Sequence, residues 1–175
     1  RGLGDVYKRQ MLQRVSIAIA LANKPDVLVA DEPTTALDVT IQAEILKLLD
    51  QLRKEMGLAL IFITHDLGVV SKLSDQIAVM YAGQVVETGE TDLILNQPKH
   101  PYTKALLQCT PVLGSGENIA GGIPGLPPQP GLLPEGCSFS PRCSESLDLC
   151  TKQEPNLVQY QERNCRCFLL ESVHA

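Results

Sequence analysis

Two adjacent carboxylates at the end of an apolar run give the clearest sign of catalytic chemistry in this sequence. Asp31 and Glu32 follow the apolar residues 27–30. Such a run is typical of a strand buried on both faces of a parallel sheet, and neighbouring strand residues point in different directions. One acid could hold Mg²⁺ while the other deprotonates a water that attacks a phosphate. The alternative is a solvated helix N-cap, because acids are common in first turns.

A histidine follows the next apolar run along the chain. Residues 58–63 read as a second buried strand, and His65 comes shortly after it. If the two strands are neighbours, His65 lies at the same sheet edge as Asp31 and Glu32, where ligands of parallel sheets usually sit. A histidine there could hydrogen-bond a terminal phosphate. A lone histidine is otherwise more often a structural residue.

The cysteines suggest a second kind of chemistry near the other end of the sequence. Five of the six lie between positions 137 and 167, whereas Cys109 stands apart and is expected to be a bystander. Their irregular spacing differs from the paired Cys motifs of common zinc sites. Four thiolates on such loops suit either an iron–sulfur cluster or tetrahedral zinc, and a metal would help so short a segment to fold. Disulfides are the alternative, disfavoured because no secretory leader is evident.

The elements that must position these residues alternate along the first two thirds of the chain. Spacing of apolar residues predicts helices and strands in turn, with a hairpin around Gly83 and little proline. This alternation indicates an α/β fold with parallel strands. Residues 1–10 read as neither helix nor strand, and 108–136 as a Pro/Gly-rich extended linker. The predicted helices are 11–23, 39–56, 67–73, 91–96 and 101–107, and the predicted strands are 27–30, 58–63, 77–81 and 84–87.

Composition excludes several classes of protein. The 175 residues carry a formal net charge of −5, which argues against a polyanion as the main partner. Aromatic residues make up only 4%, with no Trp, so few side chains could stack on bases. No apolar run approaches the roughly 18 residues that a membrane span needs. A basic nucleic-acid binder, a membrane channel and a disulfide-knit secreted protein are therefore disfavoured.

Three blocks in the order VLVADEP, TTALD and IFITHD resemble the Walker B strand, the D-loop and the switch-histidine strand of ATP-binding cassette (ABC) transporter subunits. The resemblance implies an α/β nucleotide-binding domain that uses ATP and Mg²⁺. It implies that Asp31 helps to hold Mg²⁺ and that Glu32 is the general base for hydrolysis. It also implies that Asp38 signals across a dimer and that His65 contacts the γ-phosphate.

Upstream, the resemblance is incomplete. Residues 11–15, with Gln13 as a further nucleotide-site candidate, resemble the stretch after the LSGG signature, yet residues 7–10 read YKRQ. No G-x-x-x-x-G-K-[ST] loop occurs either. We therefore expect residues 1–10 to be a non-native leader and residues 11–107 to be the C-terminal part of an ABC nucleotide-binding domain. Its parallel-sheet core would lack the N-terminal half, and the chain by itself would have negligible ATPase activity.

The remainder of the chain narrows the family. The segment KHPYTKALL resembles the His-Pro-Tyr segment of dipeptide and oligopeptide importer ATPases, and IPGLPP, LPEGCSF and PRC match the same tail. Nickel and glutathione importers share much of this pattern. The resemblance implies that residues 137–175 are a Cys-rich module with a [4Fe-4S] cluster, zinc being the alternative. The implied ligands are Cys137, Cys143, Cys150 and a fourth cysteine, for which Cys167 fits better than Cys165.

The resemblance as a whole implies a bacterial peptide-importer subunit that couples ATP hydrolysis to transport. Such a subunit is peripheral, at the cytoplasmic face of the inner membrane, and closes head to tail with a second ATP-binding subunit. The other implied partners are two transmembrane permease subunits and an extracytoplasmic solute-binding protein, with no nucleic acid. The alternatives are a soluble ABC-type ATPase acting on DNA or ribosomes, and a non-catalytic cluster-bearing interaction module.

Overall fold

Residues 3–35, 37–109, 122–129 and 131–171 are described by a computed structural model of the chain. Compact packing divides the chain into two units, one ending at Leu73 and the other beginning at Ser74. Both parallel and antiparallel strands occur, so the fold is mixed α/β. No helix in these described ranges is long and apolar enough to cross a membrane.

The first unit is built around two parallel strands. Strand β1 pairs with β2 in continuous register, from Val27 opposite Ala59 to Asp31 opposite Ile63. The prediction of parallel strands is therefore confirmed for this pair. The two strands are also neighbours, the condition for Asp31, Glu32 and His65 to share a sheet edge, and their carboxyl ends meet at one edge. In chain order the elements are α1 (Leu3–Leu21), β1 (Val27–Asp31), α2 (Val39–Met56), β2 (Ala59–Ile63) and α3 (Leu67–Leu73).

Helix α2 covers one face of this strand pair. Its Ile45 and Leu49, one helical turn apart, are almost fully buried and pack in a cluster with Ile17, Leu28 and Leu58. The spacing of four places both side chains on one helix face. Gly57 ends the helix in the left-handed conformation, at φ 66°, which glycine adopts without steric penalty.

Two predictions about this unit were wrong. The strands are not buried on both faces within the described residues: Val29 and Ile61 are 57% and 52% exposed, because alternate side chains point away from α2. The first helix begins at Leu3, not at Met11. No proline interrupts residues 3–21, so a helix nucleated by the apolar pattern further along continues back through them.

The second unit contains a four-stranded antiparallel sheet with strand order β3-β4-β6-β5. The predicted hairpin is present, with Ala82 and Gly83 both at positive φ in its turn. Its elements are β3 (Gln76–Tyr81), β4 (Gln84–Glu90), α4 (Thr91–Asn96), α5 (Pro101–Gln108), two 3₁₀ turns (Ser140–Arg142 and Asp148–Thr151), β5 (Val158–Tyr160), β6 (Arg163–Cys165) and α6 (Phe168–Glu171).

The cysteine-rich segment contributes two strands to this sheet. Strand β6 pairs with β4, with Cys165 opposite Glu87 and Arg163 opposite Gly89. This pairing was not predicted from the sequence, because strands of three residues carry too little periodicity to be recognised. The predicted domain limits at residues 108 and 137 stay a prediction, and residues 110–121 of the predicted linker lie outside the described residues.

Helix α5 starts at Pro101, as predicted, and it packs inward. His100 and Pro101 are buried, and the Tyr102 ring lies 4.6 Å from that of Tyr81 and 5.3 Å from that of Phe139. Aromatic pairs at these distances add to the energy of area burial. The His-Pro-Tyr segment is thus part of the interior of this unit.

Residues 122–129, within the predicted linker, have no helix or strand, as their composition predicts. They are nevertheless held in place. The guanidinium of Arg142 donates hydrogen bonds of 2.9 Å to the carbonyls of Ile123 and Pro124, and one of 3.3 Å to the Tyr81 hydroxyl. A planar donor with five N–H groups suits such multiple contacts.

Candidate functional site

The chain turns sharply out of the sheet where β1 ends. Asp31 is the last residue of β1, and the next residue, Glu32, has φ of +43° while its N–H donates to the carbonyl of Ile63 (2.9 Å). A left-handed conformation costs a non-glycine residue about 1–2 kcal/mol. Strain of this kind concentrates at functional sites, and here it falls on the predicted general base.

Two side chains hold the carboxylate of Glu32. The Thr35 hydroxyl donates to Oε2 (2.8 Å), and Nδ1 of His65 lies 3.2 Å from Oε1. The predicted proximity of His65 and Glu32 is thereby observed. Both side chains remain substantially exposed, at 79% for His65 and 46% for Glu32, so solvent screens the contact and its main effect is to orient the groups.

These contacts lower the pKa of Glu32 below its ordinary value. The hydrogen bond from Thr35 is the larger cause, followed by the one from His65. Glu32 therefore stays ionised at neutral pH and can accept a hydrogen bond from a water. A general base must lie within hydrogen-bond reach of the proton that it removes, and an exposed, oriented carboxylate meets this requirement.

The other nucleotide-site candidates lie elsewhere in the first unit. Asp31 is exposed beside Glu32, and Gln13 is half-buried on α1. Asp38 is the N-cap of α2, where its Oδ1 accepts from the N–H of Ile41 (3.0 Å). That contact satisfies one of the unpaired N–H groups at the helix start. Ala36, between the acids and Asp38, lies outside the described residues.

Asp66, to which the sequence assigned no role, joins the loop after β2 to helix α2. Its Oδ1 accepts from the N–H groups of Gly68 (2.9 Å) and Val69 (3.3 Å) at the start of α3. Its Oδ2 accepts from the Gln42 amide on α2 (3.2 Å). An Asp directly before a predicted helix is an N-cap signal, so the first contact could have been predicted. The second needed the tertiary structure.

In the second unit, the four cysteines predicted as ligands line one cavity. Cys137, Cys143, Cys150 and Cys167 all face it, together with His100 and other residues. Cys165 is fully buried elsewhere, opposite Glu87 in the sheet. Cys109 caps the C-terminus of α5, and its N–H donates to the carbonyl of Ala105 (3.2 Å). None of the described cysteines forms a disulfide.

Backbone N–H groups point at all four sulfurs of the cavity. Hydrogen bonds from N–H groups to sulfur stabilise thiolates and tune the potentials of iron–sulfur centres. Three of the five bonds connect a cysteine with the residue two positions later. In chain order, the donors are Phe139 and Ser140 to Cys137, Glu145 to Cys143, Leu147 to Cys150 and Leu169 to Cys167.

Burial favours the protonated thiol at three of these cysteines, Cys137, Cys143 and Cys167. It raises the pKa of Cys137 and Cys143 above the ordinary value, and it raises the pKa of Cys167 to about 11. Neighbouring cysteines raise these pKa values further. A bound metal would replace the protons and compensate the negative charge.

His100 lines the same cavity, and its ring is held by the backbone. Its Nδ1 accepts from the N–H of Tyr102 (3.0 Å), and its ring also bonds to the backbone of Arg166. Burial lowers the pKa of His100 to about 4, so the ring is neutral at physiological pH. The ring thus forms part of the cavity wall, with its Nδ1 engaged by the Tyr102 backbone.

The donor set has the chemistry of a thiolate metal centre, four soft sulfurs in a desolvated pocket. Within the described ranges, no three His, Cys, Asp or Glu side chains converge closely enough to hold an ion directly. A metal would therefore draw the thiol-bearing loops together. The four cysteine sulfurs are donors of the kind that such a metal centre needs. In this conformation they are not close enough together to bind one ion.

Gly136 allows two of these loops to approach each other. A Cβ at this position would overlap the carbonyl oxygen of Cys150 and would lie 2.8 Å from the carbonyl carbon of Thr151. The neighbouring N–H of Cys137 donates to that same Cys150 carbonyl (2.8 Å). Only a residue without a side chain permits so close an approach. The sequence shows the glycine but not its reason.

Comparisons with known proteins match most of the chain. Residues 86–150 match the family model of the oligopeptide/dipeptide transporter C-terminal region. The chain is 48% identical over 166 residues to the oligopeptide transport ATP-binding protein AppD of Bacillus subtilis. It is 48% identical over 168 residues to the dipeptide transport ATP-binding protein DppD of Escherichia coli. The chain belongs to this family of oligopeptide and dipeptide transport ATP-binding proteins.

The similarity covers 94% of this chain in AppD and 93% in DppD, but 51% of each relative. The chain thus spans about half the length of the curated family members that it matches. Among solved structures, it is similar to cbiO1 from Clostridium perfringens, part of the ABC transporter complex cbiONQ. That similarity has a TM-score of 0.47 and 38% identity, over 50% of this chain and 35% of that one.

Replacing Thr35 by Val is expected to raise the pKa of Glu32 toward its ordinary value, and by more than His65→Ala does, because the Thr35 hydrogen bond is the larger cause of the lowering. NMR titration of the Glu32 side-chain carbonyl measures both shifts. The lowered pKa of Glu32 stabilises the folded state. This stabilisation is fully present above the ordinary glutamate pKa and is lost as the pH falls through the lowered pKa.

Thr40→Val, at an exposed position on α2, is the matched control and should leave the Glu32 titration unchanged. Equal shifts in Thr35→Val and Thr40→Val would contradict the assignment.

Gly136→Ala is expected to open the thiol cavity, because the new methyl overlaps the Cys150 backbone. Cys137, Cys143 and Cys150 should then react faster with a thiol reagent, by about tenfold or more if the local opening is favoured by 1.4 kcal/mol. Gly122→Ala is the matched control, since no atom lies within 4 Å of a Cβ there. Similar thiol reactivity in the two variants would show that Gly136 does not hold the cavity closed.

Proposed function

We propose that this chain is the C-terminal part of the energy-coupling subunit of an ABC importer for dipeptides or oligopeptides. The observation that carries the proposal is identity of 48–52% to three transport ATP-binding proteins, over 87–94% of the chain. In each case the chain matches about half of the relative. The substrates and partners of the whole subunit are therefore part of the proposal.

In this proposal, the first unit supplies the hydrolytic half of an ATP site. Glu32 orients and deprotonates the attacking water, and Asp31 would hold Mg²⁺, which neutralises charge on the phosphates when bound. His65, which contacts Glu32 here, would turn to the γ-phosphate when ATP is present. Asp38 and Gln13 would act at the dimer contact and near the nucleotide, respectively.

The geometry supports the assignment of Glu32 over Asp31 as the base. Glu32 is the acid held by Thr35 and His65 (2.8 and 3.2 Å), whereas Asp31 is the exposed last residue of β1. A base needs a fixed direction toward its water. A metal ligand in an open site can adjust as it coordinates.

The phosphate-binding half of the site has no counterpart in these 175 residues. No G-x-x-x-x-G-K-[ST] loop is present, and residues 7–10 read YKRQ where the family has its LSGG signature. Phosphoryl transfer depends almost entirely on positioning and electrostatic stabilisation. We therefore expect negligible ATPase activity from the chain by itself. That residues 1–10 are a non-native leader remains our hypothesis.

The proposed location is the cytoplasmic face of the bacterial inner membrane, peripheral to two transmembrane permease subunits. A second ATP-binding subunit would complete the head-to-tail dimer, and an extracytoplasmic solute-binding protein would deliver the peptide. A DNA- or ribosome-directed ATPase is disfavoured by the net charge of −5. Nickel or glutathione as solute would use the same subunit architecture.

We further propose that the second unit holds a thiolate metal centre on Cys137, Cys143, Cys150 and Cys167. All four face one cavity, and each sulfur accepts a backbone N–H. The resemblance of the tail favours a [4Fe-4S] cluster, with tetrahedral Zn²⁺ as the alternative. Cys167 is preferred to Cys165 because Cys165 does not line the cavity. A chain acting only as a cluster-bearing interaction module would show this centre without any nucleotide dependence.

The nucleotide site is tested in a complete subunit that carries this chain together with a phosphate-binding loop. Glu32→Gln should lower ATP turnover by about 10²–10⁴-fold, the range typical of a lost general base, while ATP binding is retained. Glu55→Gln on α2, away from the strand ends, should leave turnover unchanged. If the 175-residue chain alone hydrolysed ATP and Glu32→Gln abolished that activity, the proposed division of the site would be contradicted.

The metal centre is tested by anaerobic purification and measurement of iron, acid-labile sulfide and zinc per chain. Cys167→Ser should lower the metal content to background, whereas Cys165→Ser and Cys109→Ser should keep the unsubstituted value, because neither of these lines the cavity. Iron with equal sulfide indicates the cluster, and zinc alone indicates the single ion. A chain that binds neither metal would refute the proposed centre.

A further inference from the structure

Arg142 holds a surface segment of the second unit through its guanidinium group. Residues 122–129 contain no helix or strand, and two successive carbonyls in them, those of Ile123 and Pro124, accept hydrogen bonds of 2.9 Å from Arg142. A third hydrogen bond, of 3.3 Å, reaches the hydroxyl of the buried Tyr81 on β3. The guanidinium therefore joins this segment to the interior of the unit.

The segment bends so that both carbonyls can reach one guanidinium. Pro124 and Gly125 lie at the bend, and Gly125 has φ of +75°, a conformation that glycine adopts without steric penalty. Proline followed by glycine is a common sequence of such tight turns. A Cβ on Gly125 would lie 3.4 Å from the Cγ of Arg142, so the bend packs directly against the arginine side chain.

The same arginine lies in the turn that connects two proposed metal ligands. The turn begins at Cys137 and ends at Cys143, and both cysteines line the thiol cavity. Three backbone hydrogen bonds close it, from the N–H of Ser140 to the Cys137 carbonyl (2.9 Å), from Arg142 to Phe139 (2.9 Å) and from Cys143 to Ser140 (3.3 Å). The position of Arg142 therefore depends on a turn that has a proposed ligand at each end.

Aromatic packing connects this turn to the cavity wall. Phe139, in the middle of the turn, lines the cavity, and its ring lies 5.2 Å from that of Tyr81, edge to face. The central guanidinium carbon of Arg142 lies 6.0 Å from the centre of the Tyr81 ring. Contacts of both kinds are attractive. The cavity wall, the turn and the guanidinium thus form one continuous set of contacts.

Metal binding has to act on this turn. Among the residues that the structure describes, no three potential ligands converge closely enough to hold an ion, so an ion bound by Cys137 and Cys143 would fix the two ends of the turn relative to each other. A contact made by an already ordered group costs less conformational entropy than one made by a mobile group. Occupation of the cavity and closure of Arg142 on its carbonyls should therefore favour each other.

We propose that Arg142 couples metal binding in the thiol cavity to the hold on residues 122–129, so that an occupied cavity keeps this segment in place on the surface. Arg142 is a positioning residue and does not contact the metal. This coupling rests on the proposed metal centre, whereas the hydrogen bonds of Arg142 are present without any metal.

The Nε–H of Arg142 reports the closed contact directly, because it donates to the Pro124 carbonyl. Its exchange with solvent is followed by ¹⁵N NMR of the full chain, reduced and anaerobic, with and without Zn²⁺ as a diamagnetic probe. The signal is assigned by its loss in Arg142→Lys. Because exchange requires opening of the contact, Zn²⁺ should slow it by about fivefold or more, the lower end of typical couplings. Cys167→Ser, which removes one proposed ligand, should abolish the slowing.

Coupling is reciprocal, so loss of the contact should weaken zinc binding by the same factor. Arg142→Lys keeps the charge, but its donors lie at one point and do not reproduce the planar fork on two carbonyls and a hydroxyl. Zinc affinity, measured by competition with a chelator, should fall by about fivefold or more in this variant. Arg14→Lys, at an exposed arginine in the first unit that pairs with Glu44, is the matched control and should leave zinc affinity unchanged.

A second variant leaves Arg142 itself in place. Gly125→Ala adds a methyl group against the arginine side chain at a positive φ, so it should speed exchange of the Nε–H and lower zinc affinity. Gly131→Ala is the matched control, because Gly131 also has a positive φ, of +84°, but no atom lies within 4 Å of a Cβ there. It should leave both quantities unchanged. If Arg142→Lys does not fold by circular dichroism, Gly125→Ala decides in its place.

The outcomes separate failure of the coupling from failure of the metal centre. Slower exchange with zinc that is lost in Cys167→Ser, together with weaker zinc binding in Arg142→Lys or Gly125→Ala, supports the coupling. Zinc binding that depends on Cys167 but leaves Nε–H exchange unchanged overturns it, since a purely structural role for Arg142 gives that result. Unaltered zinc affinity in both variants also overturns it. A chain that binds no zinc through Cys167 refutes the proposed centre and the coupling with it.

Discussion

Glu87 is an acid with no exposure to solvent, and the arrangement of the second unit depends on how its charge is satisfied. Its carboxylate accepts hydrogen bonds from Lys99 and His100 at the start of α5 and from Arg163 on β6. It thereby joins three segments that are distant in sequence. Removing one partner of such a buried pair typically destabilises a protein by about 3–5 kcal/mol. His100 and Cys167, which line the thiol cavity, lie on two of the segments so joined.

The first unit depends on a different constraint, the shared direction of two strands. Because β1 and β2 are parallel and in register, the loops that follow them leave the sheet at the same edge. Glu32 and His65, thirty-three positions apart in the chain, are thus within 3.2 Å of each other. Antiparallel pairing would have placed the two groups at opposite edges. The proximity of acid and histidine is a consequence of topology.

The sequence was sufficient to predict the parallel strand pair, the β3–β4 hairpin and most helices, because each carries a local pattern or a recognisable end. It also identified four cysteines that the structure brings to one cavity. It did not reveal the pairing of β6 with β4, because three residues show no periodicity. It also did not reveal Gly136 against the Cys150 carbonyl, or Asp66 joined to Gln42. These contacts connect positions whose local sequences carry no sign of each other.

The order of residues along the chain was enough to identify the groups that can do chemistry: paired acids after an apolar run, a histidine after the next, and a group of cysteines with no repeated spacing. It also determined the family, through motifs that are contiguous in the chain. The three-dimensional fold alone shows which acid is held by Thr35 and His65 and which of two neighbouring cysteines faces the cavity. These choices depend on how strands pair and on side-chain hydrogen bonds, and both connect segments far apart in sequence.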